Sequence, residues 1–465
     1  MTREQRRRFH NTRAPFRARE SQRAYHRQVE KSLGHDVPGG RRVLELGCGL
    51  GDLLASTKPS YGVGVDFSAA VLDVAKQRHP ELSFECADAE TFQHDGAPFD
   101  HILLSDLAND LVDVQSTLEN ALGMAHPTTR LRVHFQNGLW RPALALAEKL
   151  GWKSPTPPQN WLSVADMSNL LALAGWEPIQ TRTRILIPFE LGGVETWINR
   201  WLAPLLSPLC LAIEITARPK PTPRRTPAKC SVVIPARNEA GNIEAAVQRL
   251  PDMGAGVEIL FVEGGSSDTT WETILKVKEA YPDKDIQALR QPGKGKGDAV
   301  RTGFAAASGD LFFILDADLT VPPEDLPKFY RAAMNGVGEF INGVRLVYPM
   351  EDEAMRFFNM LGNKFFSVLF TWLLGQPIKD TLCGTKVLFR EDYEAIAANR
   401  HFFGDFDPFG DFDLLFGAAK LQRRIVDMPI RYHARTYGST NIDRWRHGVI
   451  LLRMAAVAAK RLKFR

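Results

Sequence analysis

Cysteine is scarce in this chain. There are five (Cys48, Cys86, Cys210, Cys230 and Cys383), odd in number, scattered, and with no pair at CxxC spacing. That pattern excludes a disulfide scaffold and offers no thiolate zinc site; it reads as the reduced thiols of a cytosolic protein. Long apolar runs are missing as well. No stretch approaches the roughly 18 uninterrupted apolar residues that span a bilayer, so no transmembrane helix is expected. The Arg-rich start has no apolar run behind it, which argues against a secretory leader, and Glu4, Glu20 and Glu30 argue against a transit peptide. A strong net charge is also absent: +4 over 465 residues implies no nucleic-acid partner by itself. With 44% apolar and 24% charged residues the chain has an ordinary globular composition. At about 150 residues per domain, the length suits two or three domains.

The charge is unevenly placed. Residues 1–31 hold ten Lys/Arg against three Glu, and residues 444–465 hold seven Lys/Arg and no acid, so the body between them is acidic. Basic ends of this kind suit an anionic surface, a membrane in preference to a nucleic acid, because few aromatics interleave the basic residues of 1–31. The clearest boundary is ARPKPTPRRTPAK, 217–229, with four prolines and five Lys/Arg in thirteen residues. It reads as a semi-extended linker that neither continues a helix nor enters a central strand. Both sides alternate short β-rich runs with helical segments, the pattern of α/β domains. The expected organisation is a basic arm (1–30), a first α/β domain (31–216), the linker (217–229), a second α/β domain (230–440) and a basic amphipathic C-terminal helix (441–465).

In the first half, RRVLELGCGLGDLL (41–54) is an apolar strand entering a glycine-rich turn and then a helix. Gly47, Gly49 and Gly51 let backbone N–H groups approach a ligand closely. A dinucleotide fingerprint wants glycine at 52, where this chain has Asp52, so the spacing fits E-x-G-x-G-x-G better. GVGVDFS (62–68) ends a second strand on Asp66, FECADAE carries Asp88, and FDHILLSDL (99–107) leads to Asp106. An acid at a strand end suits ribose hydroxyls. This ordered set resembles class I S-adenosyl-L-methionine-dependent methyltransferases over about residues 20–190. The resemblance implies a Rossmann-like fold in which Glu45 and the Gly47–Gly51 loop hold the methionine part of the cofactor. Asp66 would bind the ribose, Phe67 flank the adenine, Asp88 meet its amine, and Asp106 face the methyl acceptor. Methyl transfer then needs alignment and, for some acceptors, a base. Asp106, Asp110 and His134 are the candidates, and QNGLW (136–140) and PQNWLS (158–163) supply Asn and Trp that would shape a pocket or serve the core.

In the second half, CSVVIPARNEAGNIEAAV (230–247), VEILFVEGGSSDTTWE (257–272), GKGKGDAVRTGFAAASGD (293–310) and LFFILDADLTVPPEDL (311–326) each join a strand or glycine-rich loop to a helix. The last delivers Asp316 and Asp318. Two carboxylates two residues apart in extended geometry point the same way and, at a strand end, suit a divalent cation such as Mg2+ or Mn2+ that bridges phosphates. The four segments in order resemble family 2 glycosyltransferases of the GT-A fold, closest to the polyprenyl-phosphate sugar transferases, over about 229–440. The resemblance implies that Pro235, Ala236, Arg237 and Glu239 contact the nucleotide and that Glu263 reads the base. Asp316 and Asp318 would hold metal and sugar nucleotide, with Lys296 near the phosphates. RYHARTYGST (431–440) matches the family's Arg-rich stretch, so Arg435 and Arg431 would clamp pyrophosphate with Arg345 nearby. Two departures stand out: the family's VDDGS turn is VEGGS here, with Gly264 in place of an acid, and Leu319–Thr320 follow the D-x-D. Asp411 and Asp413 come near where the family would place a base for a sugar-hydroxyl acceptor, with a structural role the alternative. Lys386 and Arg390 in DTLCGTKVLFR (380–390) are further phosphate candidates.

Two segments, MRFFNMLGNKFFSVLFTWLLG (355–375) and the C-terminal 444–465, read as interfacial helices, and 185–215 reads as the end of the first domain plus a docking helix. The expectation is therefore two doubly wound α/β domains, a methyltransferase followed by a glycosyltransferase, peripheral at the cytosolic face of the membrane. It would take a nucleotide sugar and pass the sugar to a polyprenyl phosphate or glycan. A homo-oligomer is compatible with this. The alternatives are a non-catalytic S-adenosylmethionine-binding module, or an RNA-directed methyltransferase using 1–31 as an electrostatic arm.

Overall fold

A computed structural model describes all residues except 1, 21–23, 349–356, 401–409, 434, 436, 438–443 and 465, and the side chains of 13–20, 24, 357–361, 363, 411 and 444–448. The chain divides into two units, the first ending at Lys220 and the second running from Pro221 to Lys463.

The first unit begins with helices α1 (Arg3–Glu20) and α2 (Ala24–Asp36). Strands β1 (Arg42–Leu46), β2 (Tyr61–Asp66), β3 (Ser83–Cys86), β4 (Phe99–Ser105) and β5 (Ala125–Gln136) alternate with α3 (Asp52–Ser56), α4 (Ala69–Arg78) and α5 (Val114–Gly123). After α6 (Arg141–Lys149) and α7 (Val164–Leu173) come β6 (Trp176–Arg184), α8 (Val194–Trp201) and β7 (Ala212–Pro219). The sheet order is β3-β2-β1-β4-β5-β7-β6, with β1 to β5 parallel and β7 antiparallel to both neighbours. Alternating residues serve the two faces. Leu44 and Leu46 pack with α5 and α7 on one face, and Val43 packs with Val29 and Leu33 of α2 on the other. β7 corrects the linker boundary. Ala217 pairs with Leu131 and Pro178, and Arg218 forms an ion pair with Glu177, so 217–219 close the sheet. Pro219 is tolerated as the last residue of the strand.

The second unit holds β8 (Cys230–Ala236), α9 (Ile243–Arg249), β9 (Val257–Glu263), α10 (Thr270–Ala280), β10 (Asp285–Arg290), α11 (Lys296–Ala306) and β11 (Leu311–Ile314). Then follow α12 (Leu326–Met334), β12 (Phe340–Val344), α13 (Phe357–Leu374), β13 (Lys386–Phe389), α14 (Arg390–Ala398), α15 (Asp411–Lys420), β14 (Ile425–Pro429) and α16 (Arg444–Ala458). Its order is β10-β9-β8-β11-β13-β12-β14, mixed because β13 runs antiparallel to β11 and β12. Helices α9, α10 and α12 cover one face; α11 and α13 to α16 cover the other.

Among their described side chains, each of the two expected interfacial helices buries one stripe in the core. Phe370, Leu373 and Leu374 of α13 and Leu451, Met454 and Ala455 of α16 are buried together, while Phe365, Val368 and Leu452 stay exposed. The C-terminal helix is thus part of the second unit's core. No helix among the described residues is long and apolar enough to cross a membrane.

In α2, burial and then the neighbouring Asp52 push the Glu30 carboxyl up to about 7. A carboxyl raised on folding contributes stability below its unfolded value and loses it as pH rises through the folded value. Glu30→Gln should therefore flatten the decline in the first unit's unfolding temperature between pH about 4.5 and about 7, measured by calorimetry across that range.

Candidate active sites

In the first unit the chain steps outward from β1 to β2 and β3, then places β4 on the other side of β1. At such a reversal the loops leaving adjacent parallel strands part and leave a crevice at their carboxyl ends. Gly47, Gly49 and Gly51 all have positive φ. A Cβ on Gly47 would come 2.8 Å from Leu107 Cδ1 in the loop after β4, so glycine is what lets the two loops meet at the crevice floor. The Asp66 carboxylate accepts the Gly49 N–H at 3.1 Å and the Ser68 N–H at 2.9 Å, fixing the glycine loop against the end of β2. Glu45 is buried, and that burial pushes its carboxyl well up; its Oε2 has no hydrogen-bond partner. An orphaned carboxylate oxygen beside a glycine loop fits a cationic group such as the ammonium of S-adenosylmethionine. Asp88 accepts the Glu90 N–H at 2.9 Å and stays partly open, and Phe67 lies against the His10 ring, centroids 5.3 Å apart.

His10 comes from the segment expected to be a basic arm, and the described part of that segment packs on the first unit. Arg6 donates to the Asp110 carboxylate at 2.5 Å and to the Pro158 carbonyl at 2.9 Å. His10 Nε2 lies 2.6 Å from Asp110, Arg3 pairs with Glu90, and Ser68 Oγ donates to Asn11 at 2.6 Å. The N-terminal helix thus rests on the loops after β2 and β4, with Arg3 and Arg6 held on carboxylates there, while Arg7 and Arg8 pair with Glu4 of their own helix.

Asp110 is therefore committed to Arg6 and His10, which leaves Asp106 and His134. They lie together, Oδ1 to Nδ1 3.4 Å, and Tyr25 of α2 donates its hydroxyl to Asp106 at 2.8 Å. Burial works to raise the Asp106 carboxyl, but His134 and Tyr25 outweigh it and hold it below the usual range. Burial, reinforced by Asp106, pushes the Tyr25 phenol well up, so it remains a donor. His134 Nε2 has no hydrogen-bond partner and lines a small cavity with Ser32, Arg184 and Glu214, each of which also has a buried unpartnered polar atom. Asn137 and Asn160 spend their amides on the carbonyls of Cys210 and Leu111, so both tie loops together.

The second unit repeats the reversal at β8, with β9 and β10 on one side and β11 on the other. Glu239 follows β8, Asp316 and Asp318 follow β11, and Arg435 joins them. Arg435 reaches Asp318 Oδ2 at 2.6 Å and Glu239 Oε1 at 3.4 Å. Thr320 donates N–H and hydroxyl to the other Asp318 oxygen, and Asn242 orients Glu239 at 2.7 Å. Lys296, at the start of α11, lies 2.5 Å from Asp316. Burial raises the Glu239 carboxyl, and both Asp318 and Asp316 push it further, so the three acids share one neighbourhood. Burial likewise works to raise Asp316, but Lys296, Lys386 and Arg345 hold it low. Among the described residues no group of three or more metal-ligating side chains forms. The donor set nevertheless fits a divalent cation, which takes one or two carboxylates and completes its shell with phosphate oxygens and water.

Other expected contacts fall into place differently. Glu263 accepts the Ser266 N–H of its own turn at 2.5 Å, and the exposed Arg237 lies next to Gly264, with Pro235 and Ala236 behind it in β8. Arg345 is clamped on buried Asp380 at 2.7 and 2.9 Å, and Arg431 lies over the Tyr348 ring. Lys386 is fully buried on Asn342 at 2.7 Å, and Arg390 donates to the Gly309 and Ala307 carbonyls, so neither faces a phosphate. Asp413 is paired with Arg400 at 2.6 Å. The Asp411 side chain lies outside the described residues, but Gly410 before it packs against the Gly297 backbone, beside Lys296. Sequence reasoning passed over Tyr25 and Gly384. A Cβ on Gly384 would meet Asp316 Oδ2 at 2.0 Å and Lys296 Nζ at 2.3 Å. Only a glycine flanked by buried residues in DTLCGTK hinted at this.

Residues 231–396 match the profile described as Glycosyl transferase family 2, and residues 43–127 the one described as Methyltransferase domain. A dolichol-phosphate mannosyltransferase of Pyrococcus furiosus is 32% identical over 222 residues, 46% of this chain and 59% of that protein. The chain spans about three fifths of the length of the curated relatives it matches (59% and 62%). Among solved structures, a SAM-dependent methyltransferase of Thermotoga maritima is 18% identical with a TM-score of 0.34, covering 42% of this chain and 89% of its own. Glucosyl-3-phosphoglycerate synthase of Mycobacterium tuberculosis, in complex with Mn2+, UDP and glucosyl-3-phosphoglycerate, is 19% identical with a TM-score of 0.37, covering 50% of this chain and 80% of its own.

Gly384→Ala should displace the Asp316–Lys296 pair. Calorimetric titration with UDP and GDP in Mn2+ should show affinity weakened roughly tenfold with cooperative unfolding retained; unaltered affinity would separate Gly384 from the site.

Proposed function

We propose that this chain, which carries a methyltransferase domain and a family 2 glycosyltransferase domain, moves a sugar from a nucleotide sugar to a polyprenyl phosphate at a membrane surface and transfers methyl groups from S-adenosylmethionine. The observation that carries the sugar-transfer reading is the gathering of Glu239, Asp316, Asp318, Lys296 and Arg435 at the strand reversal of the second sheet. In the reaction the bond from the sugar's anomeric carbon to the nucleotide phosphate breaks and a bond to the acceptor oxygen forms. Lys296 and Arg435 neutralise the departing diphosphate, and Arg435 presents a planar fork suited to it. A divalent cation held by Asp316 and Asp318 would add Lewis-acid stabilisation of that charge. A lipid phosphate is largely ionised near neutral pH, its second pKa being about 6, so it needs no base. A glycan hydroxyl would need one, and Asp413, one of the two candidates for it, is paired with Arg400. The similarity to a dolichol-phosphate mannosyltransferase supports the same choice.

In the first unit, S-adenosylmethionine supplies an activated methyl group. The glycine loop and Asp66 would position it, and Glu45 would meet its ammonium. His134, whose Nδ1 lies 3.4 Å from Asp106, is the group proposed to accept the proton given up by a hydroxyl or amine acceptor, while Tyr25 keeps Asp106 in place.

Two measurements test these readings. Membranes incubated with labelled nucleotide sugars should pass label into an organic-extractable fraction with the wild-type chain. Asp318→Ala should abolish this, a fall of at least about a hundredfold; label found only in water-soluble product would remove the lipid-phosphate acceptor. His134→Gln and Tyr25→Phe should leave S-adenosylmethionine affinity within about twofold and depress methyl incorporation into cell extracts, most strongly at low pH for Tyr25→Phe. Loss of cofactor affinity in both would make these residues structural.

A further inference from the structure

Helices normally bury an apolar stripe and expose polar residues, because tertiary packing of that stripe supplies most of their stability. In the first unit, α8 and its flanking segments are inverted. The inward residues are Glu195, which accepts the Leu191 and Gly193 N–H groups, and Asn199, which accepts those of Leu186 and Ile187. The outward residues are large and apolar: Phe189 is 57% exposed, Trp197 58%, Leu205 61% and Leu209 54%. Helix α6 buries no residue at all. This helix and its flanks add Leu139 at 67%, Leu146 at 56% and Trp152 at 74%. The two segments form one surface, since Trp140 donates to the Leu209 carbonyl at 2.9 Å and Asn137 to the Pro208 and Cys210 carbonyls. Contiguous apolar surface of this extent marks a contact with something apolar.

We propose that this face of the methyltransferase unit docks on an anionic lipid bilayer. Three features choose a bilayer over a protein partner. The projecting side chains are Trp, Leu and Phe, the residues that settle at the boundary between headgroups and acyl chains. Arg141 and Lys149 are exposed beside them, placed to reach headgroup phosphates. Every inward polar group of the segment is satisfied within the unit, so immersion strands no backbone amide of 186, 187, 191 or 193. The proposal stands whether or not the sugar acceptor is a lipid.

The test is flotation of the full chain with phosphatidylcholine vesicles containing phosphatidylglycerol, against pure phosphatidylcholine, with tryptophan quenching by brominated acyl chains. The wild type should float with the anionic vesicles and be quenched. The double variant Trp152→Glu, Trp197→Glu should partition roughly tenfold less, with circular dichroism unchanged. Trp152→Phe, Trp197→Phe keeps the apolar face and removes the reporters, so it should float normally and lose much of the quenching. This variant decides the matter even if the Glu variant misfolds. Undiminished quenching in the Phe variant would overturn the proposal by placing the contact elsewhere. Absence of flotation, with concentration-dependent dimers in sedimentation, would overturn it in favour of a second copy of the chain.

Discussion

Both units depend on one constraint, the reversal of strand order beside the first strand of each sheet. Parallel strands deliver their following loops to the same edge. Where the chain steps one way after β1 or β8 and later returns on the other side, two loops diverge instead of packing over each other. The gap leaves backbone amides and strand-end carboxylates without a hydrophobic cover. Glu45, the glycine loop and Asp106 gather at one such point; Glu239, Asp316 and Asp318 gather at the other. The hydrophobic cores on both faces of each sheet hold these loops at fixed positions.

What differs is how each crevice handles charge. In the first unit, carboxylates are balanced by backbone N–H groups and by helix α1: Asp66 takes two amides, and Asp110 takes Arg6 and His10. The unbalanced group is Glu45, with an oxygen lacking a partner. In the second unit, Asp316 leans on Lys296 and Asp318 on Arg435. Two cations paired to two acids can exchange partners when a diphosphate and a cation arrive together, because each charge finds an opposite one. Neither carboxylate is left without a counter-charge in the interim.

The alternation of strands, the glycine spacing and the D-x-D were all legible because each is a local pattern with a local cause. Residues that act across the fold were not. Nothing in its neighbourhood marked Tyr25, since its role exists only once α2 crosses the end of β4. Arg3 and Arg6 look like part of a solvated arm until Glu90 and Asp110 are brought beside them. Lys386 and Arg390 look like phosphate ligands because burial cannot be read from charge, and both are consumed by interior carbonyls and Asn342. The apolar richness of α13 and α16 was correctly seen, but hydrophobicity alone does not separate a core helix from an interfacial one. The inverted α8 shows the converse: its polar residues hold the chain together while its apolar ones face outward.

The central claim is that Asp316 and Asp318 jointly hold a cation that grips a diphosphate, displacing Lys296 and Arg435 toward the phosphates. Crystals soaked with Mn2+ and a nucleoside diphosphate test it most directly. The account predicts an anomalous peak between those two carboxylates, with both cationic side chains turned onto diphosphate oxygens. A peak elsewhere, with Lys296 still on Asp316 and Arg435 still on Asp318, would contradict it.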